Sequence, residues 1–215
     1  MRIKIEAKIL SKASDLMSYN HEMYSMIVEN LSKDIAEKNH AKEKFLRTFT
    51  FSGPFLDNGK VHFYMSGEDN IIRNFLSNII NKESFRIGNI DCKLLSILYL
   101  DAVNFNEKLK FKGRIIVNEI KDGEVTLSTD MNFIAKRIPQ IIRDKFRQIH
   151  GFYPEDNFNI DIISLNKKFC RYKDQYLYSY NMIFTARGSS ELIKLMYQLG
   201  AGENTASGHG FLWQI

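Results

Sequence analysis

Residues 45–81 read FLRTFTFSGPFLDNGKVHFYMSGEDNIIRNFLSNIIN, and this stretch decides the fold class. Phe45–Phe51 (FLRTFTF) is rich in aromatic and Thr residues and ends in an alternating run, Thr48–Phe51, and the turns SGPF and DNG lead to a second alternating run, Lys60–Ser66. Alternation with a period of two is typical of β-strands, so these runs predict a hairpin. Asp69–Asn81 then places apolar residues at helical spacing, which predicts an amphipathic helix.

The segments on either side of this stretch extend the pattern. Arg2–Leu10 alternates and predicts a first strand, and Asn20 is a candidate cap for a helix that reaches about Ile35. Ile87–Leu100 is apolar and strand-like, with a break near Gly88 or Asn89. The order of elements in this half is β-α-β-β-α-β, which is the split β-α-β arrangement.

The second half repeats the order less clearly. It predicts a hairpin, a long helix that Pro139 kinks or breaks, two strands, a helix and a last strand. Their ranges are Arg114–Ile120 and Glu124–Ser128, Asn132–His150, Phe158–Leu165 and Tyr176–Thr185, Ser189–Leu199, and Phe211–Ile215. We therefore predict an α+β fold of two tandem ferredoxin-like (βαββαβ) domains, residues 1–104 and 112–215, joined by the polar, Lys-rich segment Asn104–Lys112.

Composition narrows the class of protein. The chain has 215 residues, a formal charge of +5 and a pI near 9.0, which permits a polyanionic partner without requiring one. Cys92 and Cys170 lack CxxC spacing, so a disulfide framework or a cysteine zinc site is not expected. No apolar run of membrane-spanning length occurs, and Met1 leads straight into a strand pattern, so we expect no membrane span, no signal peptide and a cytoplasmic location.

A glycine-rich segment, GAGENTASGHG, fills residues 200–210. It follows a helix and precedes a strand, whereas a dinucleotide-binding loop follows a strand and precedes a helix, and no Gly-Lys-Ser/Thr is present. The segment is either a cradle for phosphates or a turn that ties the helix to the last strand. HExxH and G-x-S-x-G are also absent from the sequence, and we expect neither a cofactor nor a metal.

Three features occur together: Tyr19-Asn20-His21 ahead of the first helix, His40 after it with a basic residue leading into an FTFS strand, and G-x-G-x(5)-G-x-G near the end of the sequence. This combination resembles the CRISPR pre-crRNA-processing endoribonucleases. The resemblance implies two facing ferredoxin-like folds that hold CRISPR repeat RNA against their shared surface. It implies metal-independent cleavage in which a 2′-hydroxyl attacks the adjacent phosphate, leaving a 2′,3′-cyclic phosphate and a 5′-hydroxyl. The guide RNA then joins the subunits of a CRISPR interference complex; a monomer and a homodimer are both compatible with the sequence.

The resemblance also suggests catalytic residues. His40 lies at the position of the family's catalytic histidine, and Arg47 lies where the family often has a catalytic basic residue. The tyrosine that the family often carries on the first helix falls on Val28, so Tyr24, on the same helix face, is the substitute, with His21 as a second candidate. The alternatives are a solvated histidine at position 40, a core aromatic at 24 and a locally bonded side chain at 21.

Candidate RNA-binding residues lie in several places. Lys42 and Lys44 flank the catalytic candidates, and positions 136, 143 and 147 lie within about 60° of one another on the long helix. The full set is Lys42, Lys44, Lys136, Arg137, Arg143, Arg147, Lys168, Arg171, Gly200, Gly202, Gly208, His209 and Gly210. Lys168 and Arg171 belong to a basic cluster around a predicted loop, where Phe169 and Tyr172 are interleaved as candidate stacking residues. Solvated charged faces, and packing of His209 beside Phe211, are the alternatives.

Two other functions fit the same sequence. One is a guide-RNA-binding subunit of an interference complex that does not cut RNA, which would share the fold and the glycine-rich segment. The other is an ordinary ferredoxin-like protein with a small ligand, which would lack salt-dependent RNA affinity.

Overall fold

The computed structural model describes residues 1–11, 20–35, 48–101, 103–172 and 175–215, without the side chains of residues 170–177. The strands are β1 (Arg2–Ile9), β2 (Phe49–Asp57), β3 (Lys60–Gly67), β4 (Phe85–Ile87), β5 (Ile90–Tyr99), β6 (Lys108–Ile115), β7 (Asn118–Lys121), β8 (Glu124–Leu127), β9 (Phe158–Tyr172), β10 (Gln175–Gly188) and β11 (Leu212–Gln214). The helices are α1 (Asn20–Glu29), α2 (Asp69–Ile80), α3 (Met131–His150) and α4 (Ser190–Leu199). None of the helices in these ranges is both long and apolar enough to cross a membrane.

The first sheet is antiparallel with the order β2-β3-β1-β5-β4. Alternation in β1 sends Ile3 and Ile5 to one face, where they are fully buried, and leaves Lys4 on the other. Helices α1 and α2 cover the apolar face, and Met23 and Phe75 belong to its core. Without the short strand β4, this order is that of a ferredoxin-like sheet.

The second sheet has the order β11-β6-β10-β9 and is also antiparallel. Its first strand lies between the last and the third, as in the first sheet. Phe111 and Phe184 line the apolar face, which α3 and α4 cover with Ile138 and Met196. The hairpin β7-β8 forms a separate two-stranded sheet. The predicted α+β fold with ferredoxin-like sheets is confirmed.

The first strand of the second sheet differs from the prediction. The predicted connection Asn104–Lys112 contains the start of β6, and the predicted strand Arg114–Ile120 is divided between β6 and β7. Alternation explains the difference, because Leu109 and Phe111 are buried while the lysines between them face the other way.

Two helices also depart from the prediction. α3 continues through Pro139 without a break, and Asp130 caps its first turn by accepting from two backbone N–H groups. Burial of the apolar side of α3 against the sheet stabilises the helix despite the proline. α1 ends at Glu29 rather than near Ile35, and the Asn30 side chain donates to the carbonyl of Met26 there.

A row of buried polar side chains, here called the junction row, joins the two halves. Thr50, Ser66 and Arg2 lie side by side across β2, β3 and β1, on the face away from α1 and α2. Arg2 donates to the carbonyl of Leu212 at 2.6 Å, and the Ser66 hydroxyl reaches the carbonyl of Tyr197 at 3.4 Å. The Thr50 hydroxyl lies 2.9 Å from the Thr205 carbonyl oxygen and 3.3 Å from that of His209. The second half therefore covers one end of the first sheet's polar face.

Candidate nucleic-acid interface

Among the described residues, each sheet has one face that points away from its own two helices, and we call these the open faces. The end of α4 covers part of the open face of the first sheet. On the first sheet, side chains opposite the apolar core project from β1 and β3, among them Lys4, His62 and Tyr64. On the second sheet, the open face carries the alternate residues of β6. The part of an open face that no other element covers can receive a ligand from solvent.

Three exposed lysines, Lys108, Lys110 and Lys112, form a row along β6, here called the lysine row. Alternate residues of an antiparallel strand stand about 6.8 Å apart, so the row is regular. On β10, Arg187 lies across from Lys108 and donates to the carboxylate of Asp161 at 2.6 Å. The three lysines give this face a positive potential that attracts a polyanion.

Four aromatic side chains, Phe55, His62, Tyr64 and Trp213, lie where the two open faces meet, and we call them the aromatic array. The rings of Phe55 and His62 stack at 5.2 Å, and those of Tyr64 and Trp213 meet edge to face at 4.5 Å. A contact of 5.9 Å between His62 and Tyr64 joins the two pairs. Trp213 pairs across the strands with Lys112, so the array adjoins the lysine row.

A β-bulge places Phe55 in this array. Between the pairs Ser52–Tyr64 and Phe55–His62, β2 has one residue more than β3. The extra residue reverses the alternation, so Phe55 joins the open face although Phe51, four residues earlier, is in the core. Its side chain is 42% exposed.

Burial and a neighbouring cation favour the neutral form of the His62 imidazole. Burial lowers the pKa of His62, and the positive charge of Lys4 lowers it further. Glu6, directly across from His62, is bonded to Lys60 at 2.9 Å. A neutral imidazole offers an aromatic face of the kind that Phe55 offers.

The glycine-rich segment packs against the first sheet. A Cβ at Gly208 would lie 2.8 Å from both Asn20 and Phe51, and one at Gly200 would lie 3.1 Å from the Thr50 hydroxyl. Gly202 approaches the carbonyl of Ile116 and Gly210 that of Ala201 even more closely. Close backbone approach accounts for these glycines, which favours the turn over the phosphate cradle.

His209 lies inside this packing. Its side chain is 1% exposed, and burial lowers its pKa to about 4, with the charge of Arg114 adding to the effect. A ring so deeply buried does not stack on an RNA base in this conformation. The position of His209 therefore favours a packing role over contact with RNA.

The basic stripe of α3 lies on the far side of the second sheet. Ile134, Ile138 and Ile142 face the sheet, and Lys136 and Arg143 lie on the opposite side of the helix. Arg143 donates to the carbonyl of Asp156, Arg147 to the hydroxyl of Tyr153, and Arg137 to the carboxylate of Glu203. The stripe and the lysine row therefore face different directions.

Lys145, on the same helix, has a structural role. Its ammonium donates to the carbonyls of Leu199 and Gly200, at the end of α4. Such contacts satisfy orphan carbonyls at a helix C-terminus. Burial lowers the pKa of Lys145 to about 7.

Lys168 lies in a strand, not in the predicted loop. It pairs with Ser179 across β9 and β10, in register with the open face that carries Arg114. Phe169 is 65% exposed and contacts Tyr178 at 4.6 Å. The backbone of Arg171 belongs to the same strand.

The described residues include only some of the catalytic candidates. His40, Lys42, Lys44 and Arg47 lie outside the described residues. The ring of Tyr24 stacks on Phe49 at 6.3 Å, against the core, as expected for the core-aromatic alternative. Val28 is buried, and His21 lies in the first turn of α1.

Sequence reasoning missed the lysine row and the aromatic array. The run KLKFKGRI, residues 108–115, alternates cleanly and carried the signal for an amphipathic strand with a basic face. His62 and Tyr64 alternate with buried residues in β3, which marks them as open-face residues. Their proximity to Trp213 has no sequence signal.

Comparisons with known proteins agree with this architecture. The family model described as CRISPR associated protein Cas6, C-terminal, matches residues 106–213. A putative CRISPR-associated endoribonuclease-like protein Cas6 from Pyrococcus furiosus is 25% identical, covering 98% of each chain. A CRISPR-associated endoribonuclease Cas6 from Methanocaldococcus jannaschii is 24% identical, covering 99% of this chain and 93% of the relative.

Solved structures share the fold. One described as a RAMP protein binding different RNA substrates has a TM-score of 0.86 at 22% identity, covering 100% of this chain and 99% of the other. A Cas6-related protein from Pyrococcus furiosus has a TM-score of 0.83 at 24% identity, covering 100% and 98%. Because the family model matches half of the sequence, this chain belongs to the Cas6 family of CRISPR-associated proteins.

Proposed function

We propose that this protein is an endoribonuclease that cuts CRISPR repeat RNA within each repeat and so releases guide RNAs. The observation that carries the proposal is the meeting of the two open faces, where the lysine row adjoins the aromatic array. Cations and aromatic rings together are what a protein needs to bind an RNA strand. The names of the relatives from Pyrococcus furiosus and Methanocaldococcus jannaschii support the activity.

The proposed reaction is transesterification without a metal. A 2′-hydroxyl loses its proton to a base and attacks the adjacent phosphorus, while the leaving 5′-oxygen takes a proton from an acid. The products are a 2′,3′-cyclic phosphate and a 5′-hydroxyl. His40 serves in proton transfer and Arg47 stabilises the charge on the phosphorane, following the family resemblance. The guide RNA then passes to the subunits of an interference complex.

We place the RNA path on the open faces rather than on α3. Arg137, Arg143 and Arg147 already donate to protein groups, whereas the lysine row projects from the strand beside Trp213. Lys168 extends the same basic face along β9. We infer that the glycine-rich segment has an indirect role, because it packs the second half against the first and so fixes the two open faces next to each other.

The test is cleavage of the repeat RNA from the CRISPR array of the source genome, in EDTA, by wild type and His40→Ala. Wild type should cut once per repeat and leave a cyclic phosphate, and His40→Ala should bind the RNA but lose at least about a hundredfold in rate. His150→Ala is the matched control, since His150 packs beside Phe146 at the end of α3, and it should cut normally. Full activity in His40→Ala would refute the assigned catalysis.

Tyr24 and Val28 favour one second candidate. Val28 has no hydroxyl, and the ring of Tyr24 packs on Phe49. Neither residue of the first helix is therefore well placed to act as a catalytic acid. A guide-RNA-binding subunit without nuclease activity is the alternative. Tight, salt-sensitive binding of the repeat by wild type without any cleavage would select it.

A further inference from the structure

We propose that the aromatic array is a stacking site for unpaired RNA bases, so the RNA segment that crosses the junction of the two sheets is single-stranded. This inference rests on the proposed function and adds the kind of RNA that the site takes. It assigns a role to Phe55, His62, Tyr64 and Trp213.

The rings are positioned for a ligand rather than for the core. They lie on the open faces, away from both apolar cores, and none of the four is buried. The bulge in β2 brings Phe55 out of the core pattern and onto this surface. Large aromatic side chains left partly in water and grouped at one place mark an interaction surface.

The array has the composition of a base-stacking platform. Phe55 and His62 form one stacked pair, and Tyr64 and Trp213 form a second pair that meets edge to face. Stacking on a ring tolerates any base, because every base has a π-face. The pKa of His62 is lowered, which favours the uncharged ring, and an uncharged imidazole can stack as an aromatic.

Cations flank the platform where the phosphates of a bound strand would lie. Lys4 pairs across the strands with Tyr64, and Lys112 pairs with Trp213. From Lys112 the row continues to Lys110 and Lys108, which lets a strand that stacks on the array continue along β6. The charge of this surface is complementary to a nucleic acid backbone.

An RNA duplex does not suit this platform. In a paired helix the faces of the bases are stacked on one another, and only unpaired bases are free to stack on aromatic side chains. The array therefore selects an unpaired segment of the repeat, and any hairpin in the same RNA has to lie elsewhere.

The chain's single tryptophan, Trp213, reports on the site directly. The experiment titrates the intact protein with a mixed-sequence 12-nucleotide RNA, free or annealed to its complement, and follows tryptophan fluorescence. The free strand should quench Trp213, and the duplex should not quench it at the same concentration. Phe55→Ala should weaken binding of the free strand about tenfold, and Phe55→Tyr should restore it.

Phe152→Ala is the matched control, because Phe152 is an exposed phenylalanine at the end of α3, 61% exposed. It should bind within about twofold of wild type. Equal quenching by strand and duplex, or equal affinity of Phe55→Ala and Phe152→Ala, would overturn the inference. If either of these results were found while wild type still cut the repeat, the proposed function would hold without the stacking site. If the free strand quenched Trp213 but the repeat were not cut, the stacking site would hold without the proposed nuclease activity.

Discussion

A buried hydrogen bond of 2.6 Å joins the guanidinium of Arg2, in the first strand, to the carbonyl oxygen of Leu212, in the last. The rings of Tyr197 and Phe211 lie 3.5 and 4.0 Å from its guanidinium carbon. Burial lowers the pKa of Arg2 to about 10, so the group keeps its charge at neutral pH. Arg2 thus contributes a charged, buried contact between the first sheet and the second.

Replacing Arg2 by methionine should therefore lower the free energy of unfolding by about 2 to 4 kcal/mol, because the Leu212 carbonyl and both rings lose the cation. Urea denaturation measures the change. Arg73→Met alters an exposed arginine on α2 and should change stability by less than about 0.5 kcal/mol. Equal effects of the two substitutions would show that the junction contact adds nothing.

Two glycines with similar φ angles should respond differently to alanine. Gly59 has φ of 75° and nothing within 4 Å of an added Cβ, whereas Gly210 has φ of 86° and an added Cβ would overlap the Ala201 carbonyl. Gly59→Ala should cost about 1 kcal/mol for the left-handed conformation alone. Gly210→Ala should cost at least about 2 kcal/mol more, measured by urea denaturation. Similar losses would contradict the close packing of the glycine-rich segment.

Lys145 should make stability depend on pH. Its pKa is about 7 in the folded protein and near its usual value of 10.5 in the unfolded chain. Between those values the unfolded chain binds more protons, so stability should rise as the pH increases from 7 to 10. Denaturation of wild type and Lys145→Met across this range should show wild type gaining relative to the variant. Lys136→Met, at an exposed lysine of the same helix, should track wild type at every pH.

The lysine row should control how RNA binding depends on salt. Joint replacement of Lys108, Lys110 and Lys112 by alanine removes three charges, which should reduce the slope of log affinity against log salt by about 2 for a single strand. Filter binding at several salt concentrations measures it. The matched triple variant at Lys136, Arg143 and Arg147 should leave the slope nearly unchanged, and the reverse result would place the RNA on α3.

The sequence predicts the parts of the fold whose signal is local. β3 and α2 were predicted within one residue, because Lys60–Gly67 alternates with period two and Asp69–Ile80 has apolar residues at helical spacing. The order of the first sheet is the one that the predicted β-α-β-β-α-β succession implies. The dense lysines of β6 suggest a polar connection, although Leu109 and Phe111 alternate with them as in a strand.

The site depends more on contacts between distant segments. Thr50 and Ser66 look like solvent-facing strand positions, and only the arrival of Thr205 and Tyr197 buries them. His209 sits among glycines, which suggests a surface loop, yet packing against the first sheet buries it. Periodicity states which face a residue takes, but not what later covers that face.

The junction row also has a consequence for synthesis on the ribosome. Its contacts join residues that are at least 131 positions apart, and Arg2 must wait for Leu212. Until then, a nascent first sheet presents Arg2, Thr50 and Ser66 to water at the place where its partner will dock. Polar groups at that place spare the half-made protein an exposed apolar patch, so the two halves can join last without presenting an aggregation-prone surface beforehand.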